Sequence, residues 1–252
     1  MNNSTSFLSL PDRKLAYQQR RGAAGENKEP VMFLGGYASD MTGTKARFLE
    51  DHCAAVGRGS VRFDYRGHGQ SSGKFIDGTI GAWFDDALMI LDRLTEGPQI
   101  LVGSSMGGWI ALLLAKARPE RVAGFIGIAA APDFTEELIV PTLTPKQREQ
   151  LAQDGVTFDD NAPEDFRIPL TRLLIEEARD HLVMNAPLSL NAPVHLLQGQ
   201  KDNSVPWKYA LRIAEHIASP HMRLTLIKDA DHRLSRPEDL ALLAGVVEGI
   251  LA

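Results

Sequence analysis

Gly103-Ser104-Ser105-Met106-Gly107 reads G-x-S-x-G about its central serine. Centring the pattern on Ser104 would put Val102 and Met106 at the flanking positions, so the register selects Ser105. The pattern carries chemistry only when a strand leads into it and a helix leads out. The chain then makes a sharp elbow, its small flanking residues let strand and helix approach, and the hydroxyl is held out in strained backbone. Residues 100–102 read as such a strand, and residues 107–117, stopped by Pro119, as such a helix. A chance glycine-rich turn is the bland alternative.

A serine hydroxyl is a weak nucleophile at neutral pH and needs an adjacent base. Seven histidines are available. His52 and His216 fall in helical patterns, His195 in a strand pattern and His181 in a helical insert. His68 belongs to a turn that precedes the serine, and His221 follows Pro220 in a connection. His232 stands in a loop after the last strand and before the last helix, and it is the expected base. An elbow serine of this kind is followed by its acid and then by its histidine. Asp202, after the strand at 194–198 and 30 residues before His232, is the expected acid. Its carboxylate would take the imidazole Nδ1–H, fix the tautomer and stabilise the imidazolium. Asp133, also after a strand, and Asp231, next to the base, remain open as alternatives. Asp202 could instead simply cap the helix that begins near Pro206.

Acyl transfer also needs donors for the developing oxyanion. The amide of Met106, just after the nucleophile, is one. The other is expected from the loop after the strand at 31–34, where Gly35-Gly36-Tyr37 offers the Tyr37 amide. Asp64-Tyr65-Arg66-Gly67-His68-Gly69 is read as structural, with Arg66 tying loops together. No Cys/His cluster has zinc-like spacing, and no phosphate loop or dinucleotide fingerprint is present, so no metal or cofactor is expected. A serine rather than an aspartate at the elbow disfavours halide and epoxide chemistry.

The elements that must hold these residues alternate. Strand patterns at 31–34, 61–64, 100–102, 122–129, 194–198 and 224–227 are separated by helical patterns at 42–56, 79–94, 107–117 and 207–217, and a last helix covers 237–251. An opening hairpin spans 8–19. This is an α/β pattern: a mostly parallel sheet with helices on both faces, the α/β-hydrolase fold. Residues 1–132 and 193–252 form the expected core. Residues 133–192 break the alternation with helical patterns and no convincing strand, and they are read as a lid. One helix there, 145–153, has Thr144 at its N-cap, Pro145 at N1 and Gln147 at N3. A second is expected over 170–183.

Composition bounds the rest. The 252 residues suffice for one domain of this kind. A net charge of −5 argues against a nucleic-acid partner. Residues 133–186 alone carry −7 and the remainder +2, so the acidity belongs to the insert, as a solvated helical surface. No apolar run reaches the ~20 residues that span a bilayer. One cysteine, Cys53, cannot form an internal disulfide and is expected to be buried. Residues 1–10 do not read as a signal or transit segment, and the expected setting is cytoplasmic. The expected assembly is a monomer or small homo-oligomer.

Several stretches together carry a resemblance: Gly35-Gly36-Tyr37 with Met41-Thr42-Gly43-Thr44-Lys45-Ala46, Arg62-Phe63-Asp64-Tyr65, the run from Gly97-Pro98-Gln99 through the elbow to Trp109, Ala117-Arg118-Pro119-Glu120, Val205-Pro206-Trp207 and Asp231-His232-Arg233. They resemble the family of the mitochondrial α/β-hydrolase domain-containing protein ten. The likeness runs from about residue 15 to residue 243 and is weakest in the insert. It implies acyl-protein thioesterase activity that removes S-palmitoyl groups, together with acyl-glucuronide hydrolysis, and it puts the triad on Ser105, Asp202 and His232. The absence of a recognisable targeting segment suggests a bacterial relative. Two other classes share such a site: a carbon–carbon hydrolase or lyase using the same triad, and a non-catalytic receptor for a small ligand.

Overall fold

The computed structural model describes residues 5–24, 28–158 and 167–251. Strands β1 (Ser6–Ser9) and β2 (Lys14–Arg20) form an antiparallel hairpin turning at Pro11-Asp12, where the Leu10 amide donates to the Arg13 carbonyl at 2.8 Å. The chain then alternates through β3 (Val31–Leu34), α1 (Thr44–Ala55), β4 (Ser60–Phe63), α2 (Ile80–Leu94), β5 (Gln99–Ser104), α3 (Met106–Ala117) and β6 (Val122–Ile128). After an insert bearing α4 (Pro145–Gln153) and α5 (Arg172–Ala178), it resumes with β7 (Val194–Gly199), α6 (Trp207–His216), β8 (Met222–Ile227) and α7 (Pro237–Gly249).

The eight strands form one sheet in the order β1-β2-β4-β3-β5-β6-β7-β8. β2 runs antiparallel to β1 and β4, and the other neighbours are parallel. Both faces are covered, so the central strands are apolar on both sides. Val31, Phe33, Ile100 and Val102 pack with Leu49 of α1 and Val246 and Val247 of α7. Met32, Leu34 and Leu101 pack with Ile90 of α2, Ile110 of α3 and Ile213 of α6. Cys53 is fully buried in the first of these cores, as expected. Arg66 does tie segments together: it shares the fully buried Asp86 carboxylate with Arg13, each at 2.7 Å.

From β3 the sheet grows one way to β4 and the other way to β5. The crevice between the carboxyl ends of β3 and β5 is therefore the switch point at which open α/β sheets bind ligands. The tyrosine loop leaves β3 there, and the serine elbow leaves β5.

The insert differs in part from its expected form. The helix at Pro145–Gln153 is present, with Thr144 accepting the Gln147 amide at 3.2 Å and the Gln147 side chain returning to the Thr144 amide. The second helix is shorter than 170–183, covering Arg172–Ala178 before a tighter turn at Arg179–His181. It starts late because Thr171 pairs with Val156 in a two-residue ladder and then caps the helix by accepting the Leu174 amide. It stops early because the buried Asp133 carboxylate takes the Val183 and Met184 amides at 2.9 and 2.8 Å. A further pair, Leu188–Ser189 with Ile217–Ala218, also departs from the strandless expectation. Among the described residues, no helix is long and apolar enough to cross a membrane.

Candidate active site

β5 delivers Ser105 directly into α3. Ser105 sits at φ 54° and ψ −119°, in the left-handed region that costs a non-glycine residue of order 1–3 kcal/mol. Five non-glycine residues have positive φ among those described: Ala38, Ser105, Ala129, Asp133 and Leu234. All lie in connections beyond the carboxyl ends of β3, β5, β6 and β8, so backbone strain is concentrated where the site forms. The two motif glycines are required by contact rather than by φ. A Cβ on Gly103 would stand 2.4 Å from the Gly107 carbonyl oxygen, and one on Gly107 would stand 2.1 Å from the Leu34 carbonyl oxygen. Both obstacles are backbone. Gly107→Ala is therefore expected to cost at least about 1–3 kcal/mol, as overpacking does, read as a lower urea midpoint. An unchanged midpoint would mean that β3 and α3 can separate freely.

β7 ends at Gly199 and delivers Asp202. Its carboxylate is held on both sides. Oδ1 accepts the Ser204 and Val205 amides at 2.8 Å each, and Oδ2 accepts Gln198 Nε2 at 2.9 Å and His232 Nδ1 at 2.8 Å. The Asp202 side chain is fully buried, while that of His232 is 31% exposed. Burial works against the Asp202 charge, but the hydrogen bonds from His232 and Val205 outweigh it and hold the carboxyl below its usual range. The group therefore stays ionised at neutral pH.

Ser105 and His232 line one cavity of about 510 Å³ with Phe33, Tyr37, Lys45 and Ile168. Ser105 and His232 are not hydrogen-bonded to each other; a contact of this kind tightens as the substrate carbonyl is engaged. Met106 opens α3, where an amide has no intrahelical acceptor. Among the described residues, the Tyr37 amide also makes no hydrogen bond. Gly36 brings the tyrosine loop close: a Cβ there would lie 3.4 Å from Ser105 Cβ. The Tyr37 side chain is engaged elsewhere. Its hydroxyl donates to the Pro169 carbonyl at 2.5 Å, and its ring packs on Phe75, Trp83 and Phe134.

Most of the competing groups are occupied. Asp133 holds the insert, as described above. Asp231 accepts the Arg233 and Leu234 amides and shapes its own turn. His52 meets Glu248, His181 meets Glu177, His195 meets Thr225, His216 meets the Val183 carbonyl, and His68 lies among Tyr65, Phe75 and Trp83. Burial pushes the Cys53 thiol up to about 11, which makes it a poor nucleophile. No cluster of three or more metal-ligating side chains occurs among the described residues. Sequence reasoning missed Gln198, whose amide braces Asp202, and Lys45, which reaches the site from α1. It also missed Ile168, which brings the insert into the cavity.

Residues 25–158 match the family described as serine aminopeptidase, S33. The mouse palmitoyl-protein thioesterase ABHD10, a mitochondrial protein, is 41% identical, with 98% of this chain and 82% of the relative covered. The human protein is 38% identical, with 98% and 80% covered. The chain belongs to the ABHD10 family of α/β hydrolases. The solved mouse ABHD10 structure superposes with a TM-score of 0.86 at 37% identity, covering 97% of each chain. A chain from Agrobacterium vitis S4, named provisionally as a hydrolase, reaches 0.92 at 41% identity over 99% of each. The fold and the hydrolase class follow for this member of the family. The cytoplasmic setting expected from the sequence is corrected by its relatives: the mouse, rat, bovine, orangutan and human ABHD10 proteins are all mitochondrial.

Proposed function

We propose that this chain hydrolyses acyl thioesters and carboxylic esters through an acyl-enzyme on Ser105. His232 takes the serine proton as the hydroxyl attacks the acyl carbonyl, and Asp202 holds the imidazole with Nε2 free to accept it. The oxyanion is met by the Tyr37 and Met106 amides. His232 returns its proton to the departing thiolate or alkoxide, then activates water to release the acid and regenerate Ser105. The observation that carries this reading is the Asp202–His232 pair at 2.8 Å on the cavity that bears the strained Ser105. The curated relatives are palmitoyl-protein thioesterases, which supports a thioester substrate with a long acyl chain. No observation favours carbon–carbon cleavage or a purely ligand-binding role.

Residues 133–192 act in this reading as a lid over the acyl chain. Of the apolar residues that the insert offers to cover that chain, Leu174 is buried in the core, whereas Phe158 and Leu173 are 37% and 50% exposed. Phe166 lies outside the described residues. Each methylene withdrawn from water contributes about 0.8 kcal/mol, so kcat/KM should climb steeply with chain length until the pocket is full. The test is a series of matched thioesters and p-nitrophenyl esters from two to twelve carbons. A rising series in both is expected. A flat or falling series would leave a short-chain esterase, and no thioester turnover at any length would remove the thioesterase assignment.

A further inference from the structure

We propose that Lys45 is a positioning residue of the reaction, clamping the backbone beside His232 so that the imidazole stays directed at Ser105. This rests on the triad reading above. Lys45 lies in the first turn of α1, and its ammonium donates to the Arg233 carbonyl, 188 positions along the chain. That carbonyl belongs to the residue immediately after the base. The imidazole itself has one hydrogen-bonded anchor among the described residues, Asp202 on Nδ1. One bond at one edge of a ring leaves it free to swing about that edge, and a second hold on the adjoining backbone removes the freedom. Leu234, next along, is at φ 43°, so the loop is strained and needs such a hold.

The choice of a cation here is costly. Lys45 is only partly exposed, and burial brings its ammonium down to about 8 despite the attraction of Asp231. No carboxylate forms an ion pair with it among the described residues, and the guanidinium of Arg233 repels it. A strut serving stability alone could use a neutral donor and avoid that cost. Lys45 also lines the cavity with Ser105 and His232. The loop that it holds therefore borders the cavity in which Ser105 and His232 must meet.

The test compares Lys45→Met, Lys45→Gln and Lys45→Arg on the butyryl thioester of N-acetylcysteamine, p-nitrophenyl butyrate and butyryl coenzyme A. In Lys45→Met, kcat is expected to fall roughly 10- to 100-fold, as for a displaced catalytic group, with KM for the neutral substrates within twofold. Lys45→Arg should recover most of the loss, and Lys45→Gln, which keeps a donor and the fold, should fall between. The low-field proton resonance of His232 Nδ1–H should broaden or move in Lys45→Met. An unchanged kcat and resonance would overturn the proposal. So would a KM increase confined to butyryl coenzyme A, which would make Lys45 a reader of anionic leaving groups. If the wild-type protein turned over none of these substrates, the triad reading would fail, and the resonance would still decide whether Lys45 holds the histidine.

Discussion

Ser105→Ala is expected to abolish covalent labelling by a fluorophosphonate and to lower kcat by roughly 10⁶, the size of effect seen when a triad serine is removed elsewhere. Ser104→Ala should leave labelling largely intact. Adjacent serines differ so much because their backbones differ. Ser104 closes β5, in register with Ile128, and only 7% of it is exposed. Ser105 is the next residue, forced to φ 54° by the turn into α3. Its carbonyl accepts the Gly108 amide at 2.9 Å and the Ala131 amide at 3.1 Å, and its own amide donates to the Ile128 carbonyl. The backbone is thus fixed from three directions, which aims the side chain in advance of substrate. Labelling that survived Ser105→Ala and vanished in Ser104→Ala would reverse the register.

Asp202→Asn should be the next most damaging change, lowering kcat about 10⁴-fold with a smaller effect on KM. Asparagine fits the same space, and its carbonyl oxygen can still accept the Ser204 and Val205 amides. Its amide nitrogen would then face His232 Nδ1, donor against donor. The imidazole can relieve that clash by moving its proton to Nε2, which leaves nothing to accept the proton of Ser105. The loss of rate is therefore one of tautomer, beside a smaller cost in stability where the new amide also faces Gln198 Nε2. Asp133→Asn should leave activity within a few fold, because its carboxylate serves the Val183 and Met184 amides of the insert. Steady-state kinetics of the two variants decide the matter, and a crippled Asp133→Asn beside a healthy Asp202→Asn would make Asp133 the acid.

The features legible in the sequence were those set by local chemistry. The elbow could be located because Gly103 and Gly107 are forced by contacts two residues either side of Ser105, a spacing visible in one dimension. Helix α4 could be bounded because Thr144, Pro145 and Gln147 build its start from adjacent residues. The helix that follows could not. Its limits are set by Val156 pairing with Thr171 and by Asp133 capturing amides 50 residues away, and neither leaves a periodic mark. Lys45 was hidden for the same reason, since a lysine early in a helix reads as solvated surface until its distant carbonyl is seen. Gln198 read as the polar end of a strand, with nothing to show that its amide would turn back onto Asp202. The cellular setting failed for a different reason: it rested on how residues 1–10 read and on a single cysteine, neither of which carries an address, and the mitochondrial relatives overturn it.

In the proposed mechanism, thioesters and esters pass through one acyl-enzyme on Ser105. Partitioning between water and added hydroxylamine tests it most directly. The octanoyl thioester of N-acetylcysteamine and p-nitrophenyl octanoate should give the same ratio of octanohydroxamate to octanoate, because both arrive at the same Ser105 ester before the second nucleophile acts. Ser105→Ala should form neither product above background. A ratio that changed with the leaving group would show water attacking the substrate directly and would rule out a shared Ser105 acyl-enzyme.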